Sequence, residues 1–423
     1  MGNTGEETQA LHGQNDQPLP IGVFALFTPD EAMPKDRGLY VKRRGIVILA
    51  GLLVVVGAWG VAQSPQFVEN VYAQGVSPLL TRGLSAATGF LATSVAELLM
   101  LLAGLWVLLP ALYAFYNIAR RRRRMLNALA CGTLRGLMLA SVTVALFYLF
   151  WGVNYARAPL VQRLDWTEHS AQPKDAEAQR EELQALCEAL VQAANDSYLA
   201  AFSSKDIGRP SAPLTDDASL DAGIDEGLDR AAEDLKLDEA FRHSHGRAKP
   251  VALSSLMSRF QIAGFYSPWT GEANFNMEQP GHQLPLSIAH EKCHQRGVTS
   301  EDEANFLGFA ACVRADDPYV RYAGYLFAQR QLLGELLALD GEAAGELVAQ
   351  RLPGVQRDVD TAREFWLRHE GALAEASHAV NDAYLKTNGV QAGVRSYGAS
   401  AQLLVVYARK QGGIVPSGKV PGH

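Results

Sequence analysis

The sequence predicts a membrane protein in two parts: three amino-terminal transmembrane helices, then a mostly helical α+β domain on the extracytoplasmic side. Three observations predict it. Apolar residues crowd the first third of the 423-residue chain, whereas the remainder is polar. Two basic clusters, Lys42-Arg43-Arg44 and Arg120 to Arg124, flank the apolar runs. Much later, two short strand-like runs lead into a pair of short helices around residues 287–306.

Residues 1–40 are rich in Gly, Gln, Asn, Asp and Pro and read as a disordered cytoplasmic tail. The first long apolar run starts only after Lys42-Arg43-Arg44 and lacks a small-residue cleavage pattern, so no secretory signal is expected. Residues 45–62 are almost wholly apolar and just long enough for a first span, since roughly 20 helical residues cross a bilayer. Residues 64–93 alternate apolar and polar character and read as an interfacial or re-entrant connection. Ser94-Val95-Ala96-Glu97 has the form of a capping box, which accounts for an acid at the edge of an apolar run. A second span is expected at about 95–116 and a third at about 132–152, the latter with Arg135 placed to snorkel and an aromatic belt of Phe147, Tyr148, Phe150, Trp151 and Tyr155.

Both basic clusters sit where the positive-inside rule makes them cytoplasmic. Residues 41–157 are thus expected to form the membrane domain of a multi-pass inner-membrane protein, with its amino terminus inside. The lipid bilayer is its first expected partner. Residues 158–410 form the extracytoplasmic domain, followed by a flexible tail at 411–423.

Within that domain, 175–202 is an amphipathic helix, 206–221 a Pro- and Asp-containing loop, and the acidic stretch to 241 helical again. Val251 to Phe260 fits either helix or strand. Gln261 to Tyr266 and Glu272 to Met277 read as two strands around the turn Ser267-Pro268-Trp269-Thr270-Gly271. Helices are expected at about 319–339, 345–351 and 355–376.

Between these lies the stretch with chemistry, Ser287-Ile288-Ala289-His290-Glu291-Lys292-Cys293-His294-Gln295-Arg296-Gly297. His290 and His294 fall one helical turn apart, so both reach one zinc ion, with Glu291 beside them as general base. Gly297 marks the helix end and a second helix start follows, so a helical hairpin is the economical reading. A catalytic zinc needs a third protein ligand and an open water position. Glu303 completes a capping box with Ser300, whereas Glu301 stands four residues before Asn305, a polar partner for a metal-bound histidine. Glu301 is the favoured ligand and Glu303 the alternative. Cys293, about 60° from His290 around the helix, reads as a buried thiol rather than a fourth ligand.

The H-E-x-x-H run followed by Glu301-Asp302-Glu303-Ala304-Asn305 resembles the zincin metallopeptidases of the glutamate-ligand type. That resemblance implies Glu301 as the third zinc ligand. The runs Phe150 to Tyr155, Gly264 to Asn276 and Ala289 to Phe306 further resemble a bacterial membrane-protein family, domain-of-unknown-function family 3810, from the first apolar segment to about Lys410. It implies a zincin-like fold and a metallopeptidase site holding one Zn2+ on His290, His294 and Glu301, but no substrate. In zincins the strand before the metal helix is an edge strand that pairs with an extended substrate, and Glu272 to Asn276 has the position for it. Two further runs, Asn381 to Lys386 and Gly393 to Gly398, resemble family motifs. Tyr397 and Arg395 are candidate oxyanion donors.

The net charge of −7 is mild and the basic residues cluster beside the apolar runs, which excludes a nucleic-acid binder. Four cysteines make no disulfide framework. His243-Ser244-His245 reads as solvated rather than as a second metal site. The expected function is zinc-dependent peptide-bond hydrolysis outside the membrane. The alternatives are a non-catalytic sensor or assembly factor on the same fold and, far behind, a transporter using Glu97.

Overall fold

The computed structural model describes residues 37–119, 125–170, 175–388 and 399–416. The amino-terminal run before 37, Arg120 to Arg124, the segment with Arg395 and Tyr397, and the last residues lie outside the described residues.

Helix α1 (Arg37–Ala62) exposes Ile46, Leu49, Leu52, Leu53, Val56 and Trp59, as a helix solvated by lipid does. Ser64 caps the short α2 (Pro65–Phe67), and a π-helical stretch, Val68–Val76, carries the chain into α3 (Ser77–Thr88). Then come α4 (Val95–Ala119) and α5 (Met125–Phe150). Helices α1 and α5 lie side by side and run in the same direction: Arg135 donates to the Tyr40 hydroxyl near their starts, and Ser141 Oγ to the Ile48 carbonyl farther along. Gly51 makes this approach possible, because any Cβ there would collide with Ser141.

Two helices among the described residues are long and apolar enough to cross a bilayer, Gly38–Ala62 and Gly132–Phe150. The expectation of three transmembrane helices fails at the middle one. The described apolar stretch of α4 is only Val95–Leu109. Its first turn is moreover built into the polar part of the molecule. Val95 and Ala96 N–H donate to the Glu272 carboxylate (3.3 and 2.8 Å), and the Glu97 carboxylate accepts from Ala252 and Leu253 N–H (3.0 and 2.8 Å). Ser94 does cap the Glu97 N–H, but Glu97 does not complete a capping box; it reaches another element.

The connection at 64–93 is helical and wedged under the remainder of the chain. Val68, Tyr72, Ser77, Thr81 and Ser85 are buried; Tyr72 donates to the Leu149 carbonyl and Ser85 to that of Gly271. The short α6 (Leu160–Arg163) follows α5.

The core of the polar part is α7 (Ala176–Phe202), α8 (Asp217–Asp234), α10 (Leu284–Gln295), α11 (Glu301–Cys312) and α12 (Pro318–Leu339). Leu190, Ala194 and Tyr198 of α7 pack with Tyr322, Leu326 and Leu332 of α12, each buried apolar side chain contributing about 1.5–3 kcal/mol. Helix α8 crosses α11 at Gly227, where a Cβ would strike the Ala311 carbonyl.

Strands β1 (Lys249–Val251), β2 (Gly264–Ser267) and β3 (Glu272–Asn276) form one sheet in the order β1-β3-β2, with α9 (Ser254–Arg259) between the first two in sequence. Strand β3 pairs parallel with β1 (Pro250 opposite Phe275) and antiparallel with β2 (Phe265 opposite Asn274). The turn between β2 and β3 closes on Gly271 at φ +68°. The hairpin is as expected, but the edge assignment is not: β3 is the central strand, buried throughout, and β1 and β2 are the two edges. A strand already paired on both sides has no backbone groups left for a substrate. Helices α13 (Gly341–Ala349), α14 (Pro353–Arg368), α15 (Ala372–Thr387) and α16 (Ala399–Gln411) complete the molecule.

Candidate metal centre

Helix α10 begins with Pro285 in its first turn and ends at Gly297, whose φ of +85° reverses the chain toward α11. Ile288, Ala289 and Cys293 face the core. Lys292 is wholly buried, donating to Asp221 (2.7 Å) and the Gly246 carbonyl (3.2 Å) and pairing with Asp225 (3.1 Å); Arg296 adds a bond to Asp225 (2.6 Å). This ionic lock to α8 sets the rotation of α10 and turns His290, Glu291 and His294 to the opposite side.

There the two imidazoles meet, ring centroids 4.6 Å apart and Nε2 atoms 3.0 Å apart. The first residue of α11 brings in the third donor: Glu301 Oε2 lies 3.2 Å from His290 Nε2 and 3.7 Å from His294 Nε2. His294 Nδ1 is 2.7 Å from the Val298 carbonyl, which only accepts, so Nδ1 carries the proton. His290 Nδ1 bonds Asn305 Oδ1 at 2.9 Å. Both Nε2 atoms therefore face Glu301. This is the tautomer and orientation that metal-bound histidines take, held by the kind of outer partner they use. Two imidazole nitrogens and one carboxylate, all within 4.8 Å of one another, suit zinc with a position left for water.

The electrostatics of the cluster favour a cation. Burial disfavours charge on His294, yet the Glu301 and Glu291 carboxylates prevail and raise its pKa to about 9. Burial likewise pushes Glu301 up, but the two imidazoles hold it well below the ordinary carboxylate range. Glu291 is raised chiefly by burial. It lies against the edge strand at Gly264, where a Cβ would come within 2.7 Å of Glu291 Cγ and 2.9 Å of the Asn274 carbonyl.

Residues 72–405 match the family described as protein of unknown function, DUF3810. The chain belongs to the DUF3810 family. No curated protein and no solved structure matches it.

In this DUF3810 chain Glu303 has other work than either role weighed for it. Its carboxylate accepts from Leu160 N–H (2.6 Å) and Arg163 (2.9 Å), capping α6, while the Ser300 hydroxyl bonds Asp302 and caps no backbone group. The capping box at Ser300 is therefore absent and Glu303 points away from the histidines. The rings of His243 and His245 do not converge either: His243 is exposed beside Glu239, and His245 is buried with Nδ1 on the His243 carbonyl. Cys187, Cys293 and Cys312 are free, buried thiols, and burial pushes that of Cys293 up to about 12.

Three aromatic residues at the DUF3810 site escape sequence reasoning. Trp151, the first residue after α5, donates from Nε1 to the His294 carbonyl (2.9 Å) and sets its indole edge-on to the His294 ring at 6.0 Å. Tyr155 donates to the Tyr384 hydroxyl (3.1 Å). Burial raises the Tyr384 pKa to about 12, and the Glu301 carboxylate adds to the effect. The only signals were the aromatic belt, which membrane topology alone accounts for, and the run Asn381 to Lys386.

Proposed function

We propose that this chain is a membrane-anchored zinc metallopeptidase that hydrolyses peptide bonds on the extracytoplasmic side. The observation that carries this reading is the convergence of His290 Nε2, His294 Nε2 and Glu301 Oε2, with both Nδ1 positions committed to other acceptors. Zinc bound there would lower the pKa of a coordinated water and polarise a carbonyl. Glu291 is the general base. Its carboxylate, buried beside both histidines, is placed to take a proton from water and pass it to a leaving amine. Strand β2, at the sheet edge beside Glu291, offers the backbone groups that hold an extended peptide without demanding particular side chains. Lys42, Arg43 and Arg44 place the start of α1 in the cytoplasm by the positive-inside rule. The oxyanion roles of Tyr397 and Arg395 stay part of the proposal.

The test is Glu291→Gln in the full chain. It should keep zinc at unchanged stoichiometry while chelator-sensitive cleavage of a peptide library disappears. Unchanged turnover in that variant refutes the mechanism. Zinc binding with no cleavage by the native chain favours the non-catalytic sensor instead.

A further inference from the structure

The metal cluster has no linker between itself and the membrane part. The apolar helix ends at Phe150, and the next residue, Trp151, holds the His294 carbonyl at 2.9 Å. The edge strand then leads toward the bilayer. It starts at Gly264 against Glu291 and passes Tyr266, whose ring lies 5.5 Å from Trp151. Its turn lays Trp269 on the flank of α5, where Nε1 donates to the Thr143 carbonyl (3.2 Å) and the ring sits 6.3 Å from Phe147. Thr143 precedes Phe150 by seven residues, so Trp269 reaches about 10 Å back along the apolar helix. Trp269 is 40% exposed, a large apolar surface at a level where the solvent is lipid. Tyr384, hydrogen-bonded to Tyr155, packs 6.1 Å from Phe147 on the same helix. A chain paired along β2 therefore has one end at Glu291 and the other at the bilayer.

Building on the metallopeptidase reading, we infer that the substrates are membrane-anchored polypeptides, cut just outside their membrane-spanning segment. The strand Gly264–Ser267 covers about 10 Å before its turn carries the chain to Trp269, and this is the separation between scissile bond and lipid that the strand sets. A peptide free in solution has no second end to place against the apolar turn.

The experiment uses the full chain in phospholipid nanodiscs with three forms of one randomised fluorogenic peptide library. One is fused to a leucine-rich membrane helix through a linker of about 5 residues, one through about 25, and one is untethered. Both tethered forms share confinement to the disc, and lengthening a flexible linker fivefold by itself lowers the effective concentration by about tenfold, so position is read from the excess over that ratio. The near form should be cut faster than the far form by clearly more than the about tenfold that linker length alone gives. A near-to-far ratio of about ten or less, or an untethered rate equal to the near one, overturns the inference while leaving the metallopeptidase reading intact. No cleavage of any form overturns that reading, and the inference with it. A second measurement is independent of turnover: the fluorescence difference between the native chain and Trp269→Phe should be quenched by lipids brominated on their acyl chains. Absence of quenching places Trp269 outside the apolar layer and refutes the inference.

Discussion

Replacing Lys292 with Met removes the buried cation on the far side of the metal helix while keeping the length of the side chain. Lys292 Nζ stands 2.7 Å from Asp221 and 3.1 Å from Asp225, with no solvent exposure. At an effective dielectric of about 20 the gross attractions are about 6 and about 5 kcal/mol. Desolvating the ammonium takes back most of this, but removing it leaves two carboxylates short of a partner, and breaking such a buried pair costs about 3–5 kcal/mol. Asp225 keeps Arg296, and Asp221 keeps the N–H of Ala248 (2.9 Å), so the lower part of that range is expected. Urea denaturation of the full chain in detergent, followed by the near-ultraviolet signal of its buried tryptophans, reads the loss. Lys292→Met with Asp221→Asn should recover part of it, since Asn leaves no unpaired charge. A loss for Lys292→Met below about 1 kcal/mol, or none recovered in the pair, refutes the view that this cluster locks α10 in place.

The third ligand separates by metal analysis: Glu301→Gln should lose zinc, whereas Glu303→Gln should keep it and unfold more easily, having weakened the cap on α6; the reverse pattern would reassign the ligand. Asn305→Ala frees His290 Nδ1 and should weaken zinc binding by about 10–100-fold in a chelator competition, without changing stoichiometry at saturation. His245 and His282 are buried, and burial drops the pKa of each to about 3. Unfolded, they take up protons near pH 6.5, so their contribution to stability is full above that pH and drains away as pH falls toward 3, by roughly 1 kcal/mol per pH unit and group. Denaturation midpoints of His282→Asn should therefore fall less steeply on acidification than those of the native chain; identical slopes would show that His282 does not stay neutral when folded.

The sequence made legible whatever a local pattern encodes. The first and third apolar runs read as spans because each is continuous, and His290 and His294 read as a pair from helical spacing, whereas Glu301 over Glu303 leaned on the resemblance to glutamate-ligand zincins. Asn305 followed from the same arithmetic. What stayed hidden depends on partners far away in the chain. Glu303 fits a capping box by spacing, yet a backbone N–H at Leu160 and the Arg163 guanidinium claim it. Glu272 to Asn276 looks like the substrate strand until β1, from 20-odd residues earlier, pairs on its free side. The second apolar run looks like a span because composition does not reveal that its first turn is bound by Glu272. Lys292 breaks the apolar pattern of the helix because its partners are on α8.

The exchange of carboxylates between Glu97 and Glu272 also bears on how the chain is made. The amide groups that open α4 are satisfied by a side chain 176 and 177 residues downstream, and Glu97 in turn waits for Ala252 and Leu253. During synthesis α4 therefore leaves the ribosome with its Val95 and Ala96 N–H groups and its Glu97 carboxylate lacking these partners, and stays so until β1, α9 and β3 have emerged. Closing so long a loop is slow, so the apolar helices gather before their junction with the sheet is finished. The metal helix follows β3 in sequence and is held by Trp151, so a nascent chain arrested before residue 272 holds no assembled site.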